Sequence, residues 1–156
     1  SQTGTGKTAA FTLPLLEQLD YSNHHIQALI ICPTRELAVQ VKGEIDRIGK
    51  YIPELKTIAI YGGESIGIQI KALKFKPQIV IGTPGRLIDH INRKLVRLSH
   101  LQYLVLDEAD EMMKMGFKED IETILESAST KHQTVMFSAT MPKQIIHITK
   151  KYMTDP

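Results

Sequence analysis

The sequence predicts an open α/β sheet, mostly parallel, with helices on both faces. Three observations carry this. Five short runs rich in Ile, Val, Leu or Tyr alternate with stretches whose apolar residues recur every three or four positions. The short runs are apolar almost without interruption, as strands covered on both faces are. The residues able to do chemistry cluster directly after those runs, where an open parallel sheet gathers its active residues.

In chain order, a glycine-rich segment at 1–8 leads into a helix pattern from Thr8 to Leu19. The first strand is expected at Gln27 to Cys32, followed by a helix from Arg35 to Ile52. Lys56 to Tyr61 reads as a strand before the helix Ile66 to Leu73, and Gln78 to Ile81 as a strand before the helix Pro84 to Asn92. Leu101 to Asp107 is the fourth strand, with a helix at Phe117 to Ser127 beyond it. Gln133 to Ser138 is the fifth, leading into Pro142 to Tyr152. Two of these helices begin with a proline, which the first helical turn tolerates because its N–H has no partner there.

A chain of 156 residues supports one hydrophobic core. With 42% apolar and 23% charged residues it has the composition of an ordinary globular domain, which excludes disorder, collagen and coiled coil. The longest unbroken apolar run, Ala28 to Cys32, falls far short of the roughly 20 residues a membrane helix needs, so a cytoplasmic location is expected. The single cysteine, Cys32, cannot form an internal disulfide, and no thiolate or imidazole metal cage is predicted. It reads as a small core residue. The six histidines show no paired spacing and are assigned no chemistry. Most of the nine Phe and Tyr fall in apolar runs and are expected in the core. Met112, Met113 and Met115 are expected to pack behind the acidic motif.

The net charge of +2 hides an asymmetry. From Asp107 to Glu126 there are eight acids and two bases, which leaves 17 bases against nine acids elsewhere. Such a division suits a polyanion on one surface and a cation on another, and it also suits a plain solvated acidic helix.

The first chemical motif is Ser1-Gln2-Thr3-Gly4-Thr5-Gly6-Lys7-Thr8, which fits GxxxxGK[ST] except that Ser1 stands at the first glycine. Backbone N–H groups of Thr3, Gly4, Thr5 and Gly6 would curl around phosphate oxygens. Lys7 adds a charge at the β- and γ-phosphates, and Thr8 offers its hydroxyl to Mg²⁺. The ligands expected are therefore ATP and Mg²⁺. A motif of this kind follows a strand, and that strand is expected upstream of Ser1.

The second motif is Leu104-Val105-Leu106-Asp107-Glu108-Ala109-Asp110. An apolar strand ending in adjacent carboxylates delivers them to the same sheet edge as the phosphate loop. Asp107 is the candidate to hold Mg²⁺, largely through water, and Glu108 to position or deprotonate the attacking water. Acids at a helix start also serve merely as partners of its dipole, but Lys7 and Thr8 give these two a ligand to act on.

In order along the chain stand the phosphate loop, Pro33-Thr34-Arg35-Glu36-Leu37-Ala38, Gly62-Gly63, Thr83-Pro84-Gly85-Arg86, Asp107-Glu108-Ala109-Asp110 and Ser138-Ala139-Thr140. Six motifs in this register resemble the first RecA-like domain of a DEAD-box ATP-dependent RNA helicase, over nearly the whole chain. The resemblance implies a RecA-like P-loop fold for 1–156, and RNA contacts through Thr34, Arg35, Gly63, Thr83, Gly85 and Arg86. It further implies that Asp110, Ser138 and Thr140 couple nucleotide state to RNA. The family's glutamine-containing adenine-recognition segment and its second RecA-like domain, with the arginines that complete the ATP site, lie outside these residues. Little activity is therefore expected of 1–156 alone.

The RNA assignment has its own physical basis. Thr34, Thr83 and the glycines follow predicted strands, where N–H and hydroxyl groups bind phosphates without touching bases, and Arg35 and Arg86 supply charge. The competing reading makes these segments simple turns with Thr as N-cap. Three functions stay open: an RNA-dependent ATPase module of a duplex-unwinding enzyme, an ATP-gated RNA clamp with no unwinding role, and an unrelated P-loop NTPase such as a DNA translocase.

Overall fold

The computed structural model describes residues 5–153. Within them seven helices and five strands follow one another: α1 (Thr5–Gln18), β1 (Ala28–Ile31), α2 (Arg35–Ile48), β2 (Thr57–Ile60), α3 (Ile66–Leu73), β3 (Ile79–Gly82), α4 (Pro84–Asn92), β4 (Tyr103–Leu106), α5 (Ala109–Lys114), α6 (Lys118–Ser127), β5 (Gln133–Met136) and α7 (Lys143–Tyr152). The strands form one sheet of order β2-β3-β1-β4-β5, in which every pairing is parallel. All five carboxyl ends therefore open on a single edge.

Alternation along the strands divides the core in two. Leu29, Ile31, Val80, Leu104 and Leu106 face Leu73 of α3, Leu87 of α4, Met112 of α5, Ile121 of α6 and Ile145 of α7. Ala28, Ile30, Ile79, Ile81 and Val105 face Phe11, Leu15 and Leu16 of α1 and Leu37, Val41 and Ile45 of α2. This is the three-layer arrangement the apolar runs predict, since each central strand needs cover on both sides. Gly82 ends β3 because a Cβ there would come within 2.8 Å of the Ile60 carbonyl oxygen and of Leu87, so glycine lets α4 pack against the strand end.

The predicted elements recur with shifted ends. α2 stops at Ile48, where the Gly49 N–H closes on the Ile45 carbonyl, four residues before the predicted Ile52. α1 starts at Thr5 and runs through Pro14, an exposed position in its second half. Helix α5 is not anticipated by the sequence reading. Its six residues are too few to display a period, and it buries Met112 and Met113, whereas Met115 at its end is exposed. Cys32 is fully buried, and burial, reinforced by the charges of Asp107 and Glu108, holds its thiol well above its ordinary pKa. Two aromatics depart from the expected core placement: Tyr51 is 84% and Phe75 71% exposed. Both sit in turns after helices, where an apolar neighbourhood in sequence does not translate into one in space. Among the described residues no helix is long and apolar enough to cross a membrane.

Candidate functional site

Parallel strands bring the loops after β1, β2, β3, β4 and β5 to one edge, beside the start of α1. Lys7 in the first turns of α1 reaches across to β4, where its Nζ donates to Asp107 Oδ1 at 2.7 Å. Asp107 sits just past the end of β4 with its N–H on the Ile31 carbonyl, and its side chain is almost wholly out of solvent. The other carboxylate oxygen, Oδ2, is buried with no hydrogen-bond partner. A buried carboxylate oxygen without a partner is costly unless a donor or cation arrives. Its chemistry suits water bound to a hard divalent cation, so Asp107 and the buried Thr8 fit the Mg²⁺ assignment. Among the described residues no three His, Cys, Asp or Glu side chains form a metal cluster.

Glu108 occupies the left-handed region, with φ 52° and ψ 52°. For a residue with a Cβ this costs on the order of 1–3 kcal/mol, and such strain concentrates at functional positions. Burial raises its carboxyl pKa above the ordinary value, the Asp107 charge raises it further, and Lys7 opposes both. A half-buried carboxylate of raised pKa is the better proton acceptor.

The next acid is fixed differently. Asp110 Oδ2 accepts from the Thr140 N–H at 3.1 Å and from Thr140 Oγ1 at 2.9 Å, while Oδ1 accepts from the Glu111 N–H at 3.1 Å. Burial pushes its pKa up, but these donors outweigh it and hold the carboxyl below the usual range. Ser138 Oγ donates to the Thr140 carbonyl at 2.6 Å, and the Ala109 N–H donates to the Phe137 carbonyl at 3.0 Å. The acidic motif and Ser138-Ala139-Thr140 are thus tied together by side chain and by backbone.

The other half of the edge holds the residues assigned to RNA. Thr34 Oγ1 accepts from the Leu37 N–H at 3.2 Å, so it caps α2, whereas Thr83 precedes α4 without a side-chain cap bond. Gly63 has φ +88°, a conformation that favours glycine. The Arg35 guanidinium lies 5.0 Å from the centre of the Tyr61 ring, beside that turn. Gly85 is exposed at the start of α4. Arg86 is turned inward: its Nη1 donates to the Glu64 carbonyl and to Gln69 Oε1, each at 3.0 Å.

Gln69 is the hub of this half, and the sequence reading assigned it nothing. Fully buried on α3, it donates from Nε2 to the Tyr61 carbonyl at 2.8 Å and to Glu64 Oε1 at 3.0 Å. Its Oε1 accepts from Arg86 and meets His90 Nε2 at 2.9 Å. An amide oxygen only accepts, so His90 carries its proton on Nε2. Nδ1 is then bare, buried and without a partner. Burial lowers the pKa of His90, with Arg86 and Arg93 acting in the same sense and Asp89 against. The overlooked signal was a polar residue on an apolar helical stripe: Gln69 lies four before buried Leu73, and His90 three after buried Leu87. Of the remaining assignments, Thr3 and Gly4 lie outside the described residues, as does the side chain of Thr5; Gly6 is exposed, and a Cβ on it would meet nothing within 4 Å.

Comparison with known proteins shows the family and the fold. The profile of the DEAD/DEAH box helicase family matches residues 1–148. The chain is 54% identical over all 156 residues to the DEAD-box ATP-dependent RNA helicase CshA of Bacillus subtilis, and spans 31% of that protein's length. It is 53% identical to the ATP-dependent RNA helicase CshA of Listeria monocytogenes, spanning 30% of it. A crystal structure of a DEAD box protein from the hyperthermophile Methanococcus jannaschii superposes with a TM-score of 0.92 at 50% identity, over 99% of this chain and 42% of the other. The yeast DEAD-box splicing factor Prp28 gives 0.92 at 35% identity, over 100% of this chain and 39% of its own. With its fold RecA-like and its motifs from Pro33 to Thr140 gathered on one sheet edge beside Lys7 and Thr8, the chain belongs to the DEAD/DEAH box helicase family.

Proposed function

We propose that this chain is the ATP-binding half of an RNA-dependent ATPase that remodels RNA duplexes by gripping the sugar-phosphate backbone, and that a second RecA-like domain of the same parent protein completes it. The chain's 31% share of the length of CshA leaves room for such a domain. The observation that carries the proposal is the Lys7–Asp107 pair, 2.7 Å long, with Asp107 Oδ2 buried and unmatched beside strained Glu108. This end of the molecule has charge ready for a ligand that it does not itself satisfy.

The roles follow from the contacts. ATP would draw Lys7 from Asp107 onto the β- and γ-phosphates. Mg²⁺, held by Asp107 through water and by the Thr8 hydroxyl, would supply charge neutralisation at the same oxygens. Glu108 orients the attacking water and accepts its proton, a task for which its raised pKa suits it. Asp110 transmits the position of the acidic loop to Thr140 and Ser138 through the bonds already described. Thr34, Arg35, Gly63, Thr83 and Gly85 offer donors to the RNA backbone, and Arg86 holds the Gly62-Gly63 turn in place while its remaining N–H groups stay available.

The test is ATP turnover by the parent protein with RNA, DNA or no nucleic acid, alongside strand separation of a short RNA duplex. RNA-stimulated turnover with separation supports the reading. Stimulated turnover without separation makes the protein a clamp, and stimulation by DNA alone makes it a translocase.

A further inference from the structure

The opposite edge of the sheet, at the amino ends of β1 and β3, carries a second concentration of positive charge. Segments following α1, α3 and α4 surround a cavity of about 550 Å³ whose cations are Lys76 and Arg97, beside the rings of His24 and His25 and with no carboxylate in the lining. The His100 ring stacks on His25 at 3.6 Å with the planes 4° apart, and both residues are exposed. A second cavity adjoins the first through Pro77 and Lys76's neighbour Phe75, and it is lined by Lys50 and Lys56. Its acid, Asp46, is already bonded to Lys42 and Thr57.

The backbone marks the same place. Among the described residues only three non-glycines have positive φ: Glu108 at the ATP end, and Lys76 (58°) and Lys94 (62°) here. Each lysine stands just past a helix, where glycine or asparagine is the usual choice. Lys76 lines the cavity, and Lys94 adjoins Leu95, which also lines it. Lysine at positions where glycine would fit more easily places charge at this edge at a backbone cost.

From this juxtaposition we propose that the edge opposite the ATP site is a second docking surface for single-stranded RNA, with phosphates at Lys76 and Arg97 and bases against the His25–His100 pair and Phe75. It rests on the reading of RNA as this protein's ligand. Cations interleaved with exposed aromatic faces are what a single strand uses, because every base has a face to stack. An acidic peptide would use the charge and leave the rings idle. A strand gripped at the motif edge would thereby gain a second anchor that reads no sequence and lies far from the nucleotide.

The experiment uses the parent protein and fluorescein-labelled single-stranded RNA carrying 4-thiouridine. Affinity is measured by anisotropy across a salt series, and photo-crosslinked peptides are mapped. Lys76→Gly with Arg97→Ala removes two charges while keeping the left-handed turn unstrained. Affinity at low salt is expected to fall about 10-fold, and the log–log salt slope to flatten by about 1.4, at roughly 0.7 per cation. Turnover without RNA stays unchanged, Lys76→Arg restores its share of the affinity, and crosslinks to the peptides holding Phe75 and His100 disappear in the variant. Unchanged affinity and slope, or crosslinks confined to 34–36 and 83–86, would overturn the second surface while leaving the motif edge intact. A variant in which Arg35→Ala has no effect but the Lys76/Arg97 change abolishes binding would sink the motif-edge reading and leave this one standing. Displacement of a poly-glutamate peptide by the double change, with RNA binding untouched, would reassign the surface to an acidic partner.

Discussion

The two halves of the motif edge satisfy their polar groups in opposite ways. Around Gln69 both amide groups are fully engaged, His90 Nδ1 alone being left without a partner, and the Gly62-Gly63 turn, α3 and α4 are locked into one body. Around Asp107 the groups are left wanting: one carboxylate oxygen has no partner, the lysine borrows the other, and Glu108 is strained. A satisfied network rigidifies, and an unsatisfied one stores binding potential for whatever completes it. The contrast teaches that one half is a scaffold whose shape is set in advance, and the other a receptor whose shape waits for its ligand.

The sharpest way to break this contrast is at Lys7. Lys7→Ala in the parent protein should lower RNA-stimulated ATP turnover by about 10³-fold or more, since positioned cations in phosphoryl transfer carry effects of that order. Near-normal turnover by the folded variant would mean that the Lys7–Asp107 pair is structural.

Glu108 comes next. Glu108→Gln should keep nucleotide binding, measured with a fluorescent ATP analogue, while turnover falls by about 10²- to 10⁴-fold. Glu108→Gly should be equally inactive, yet it should unfold at a higher denaturant concentration, because glycine relieves about 1 kcal/mol of left-handed strain net of its own entropy. An inactive variant more stable than the parent would show the strain to be functional; a less stable one would show Glu108 to be holding the fold.

The scaffold side predicts the reverse pattern. Gln69→Leu strips partners from Arg86, His90 and the Tyr61 carbonyl, at about 1–3 kcal/mol for each group left buried and unmatched. RNA affinity should drop several-fold and amide exchange at 61–65 should quicken, with ATP affinity unchanged. If nucleotide binding fell as far as RNA binding, the two halves would not be separable.

The smallest effect concerns pH. His90 has a lowered pKa in the fold, so below its unfolded value of about 6.5 the unfolded chain binds the extra proton first. Its contribution to stability is complete above that pH and is lost as pH falls beneath it. His90→Gln should therefore reduce the drop in denaturation midpoint between pH 7.5 and 5.5. An identical drop in both proteins would mean that His90 does not titrate differently on folding.

The elements that reach the edge were legible because motif and strand coincide: an apolar run followed at once by Asp107-Glu108, or by Pro33-Thr34-Arg35, fixes where those residues emerge. What was illegible depends on partners remote in sequence. Gln69 looks like any helix glutamine until β2 and α4 are folded around it, and the inward turn of Arg86 exists only because the Glu64 carbonyl waits there. Tyr51 and Phe75 failed as core residues for the converse reason, since their apolar character says nothing of which way a turn faces.

The strand order also sets which pairings are local and which are remote. β2 pairs with β3, and β4 with β5, each pair being consecutive in sequence and joined by helical crossovers. β1 alone pairs with strands far along the chain, taking β3 on one side and β4 on the other. The two consecutive pairs are units that close over the shorter connections, whereas β1 pairs across the longer ones and bears the larger loop-closure entropy. The turns carrying Gly63, Thr83 and Gly85 belong to the first unit and the acidic and Ser138-Ala139-Thr140 loops to the second, while Thr34 and Arg35 follow β1 itself, so β1 is the seam between them. Paired to both units and buried on both faces, it is the strand through which either unit, once displaced, must pull on the other.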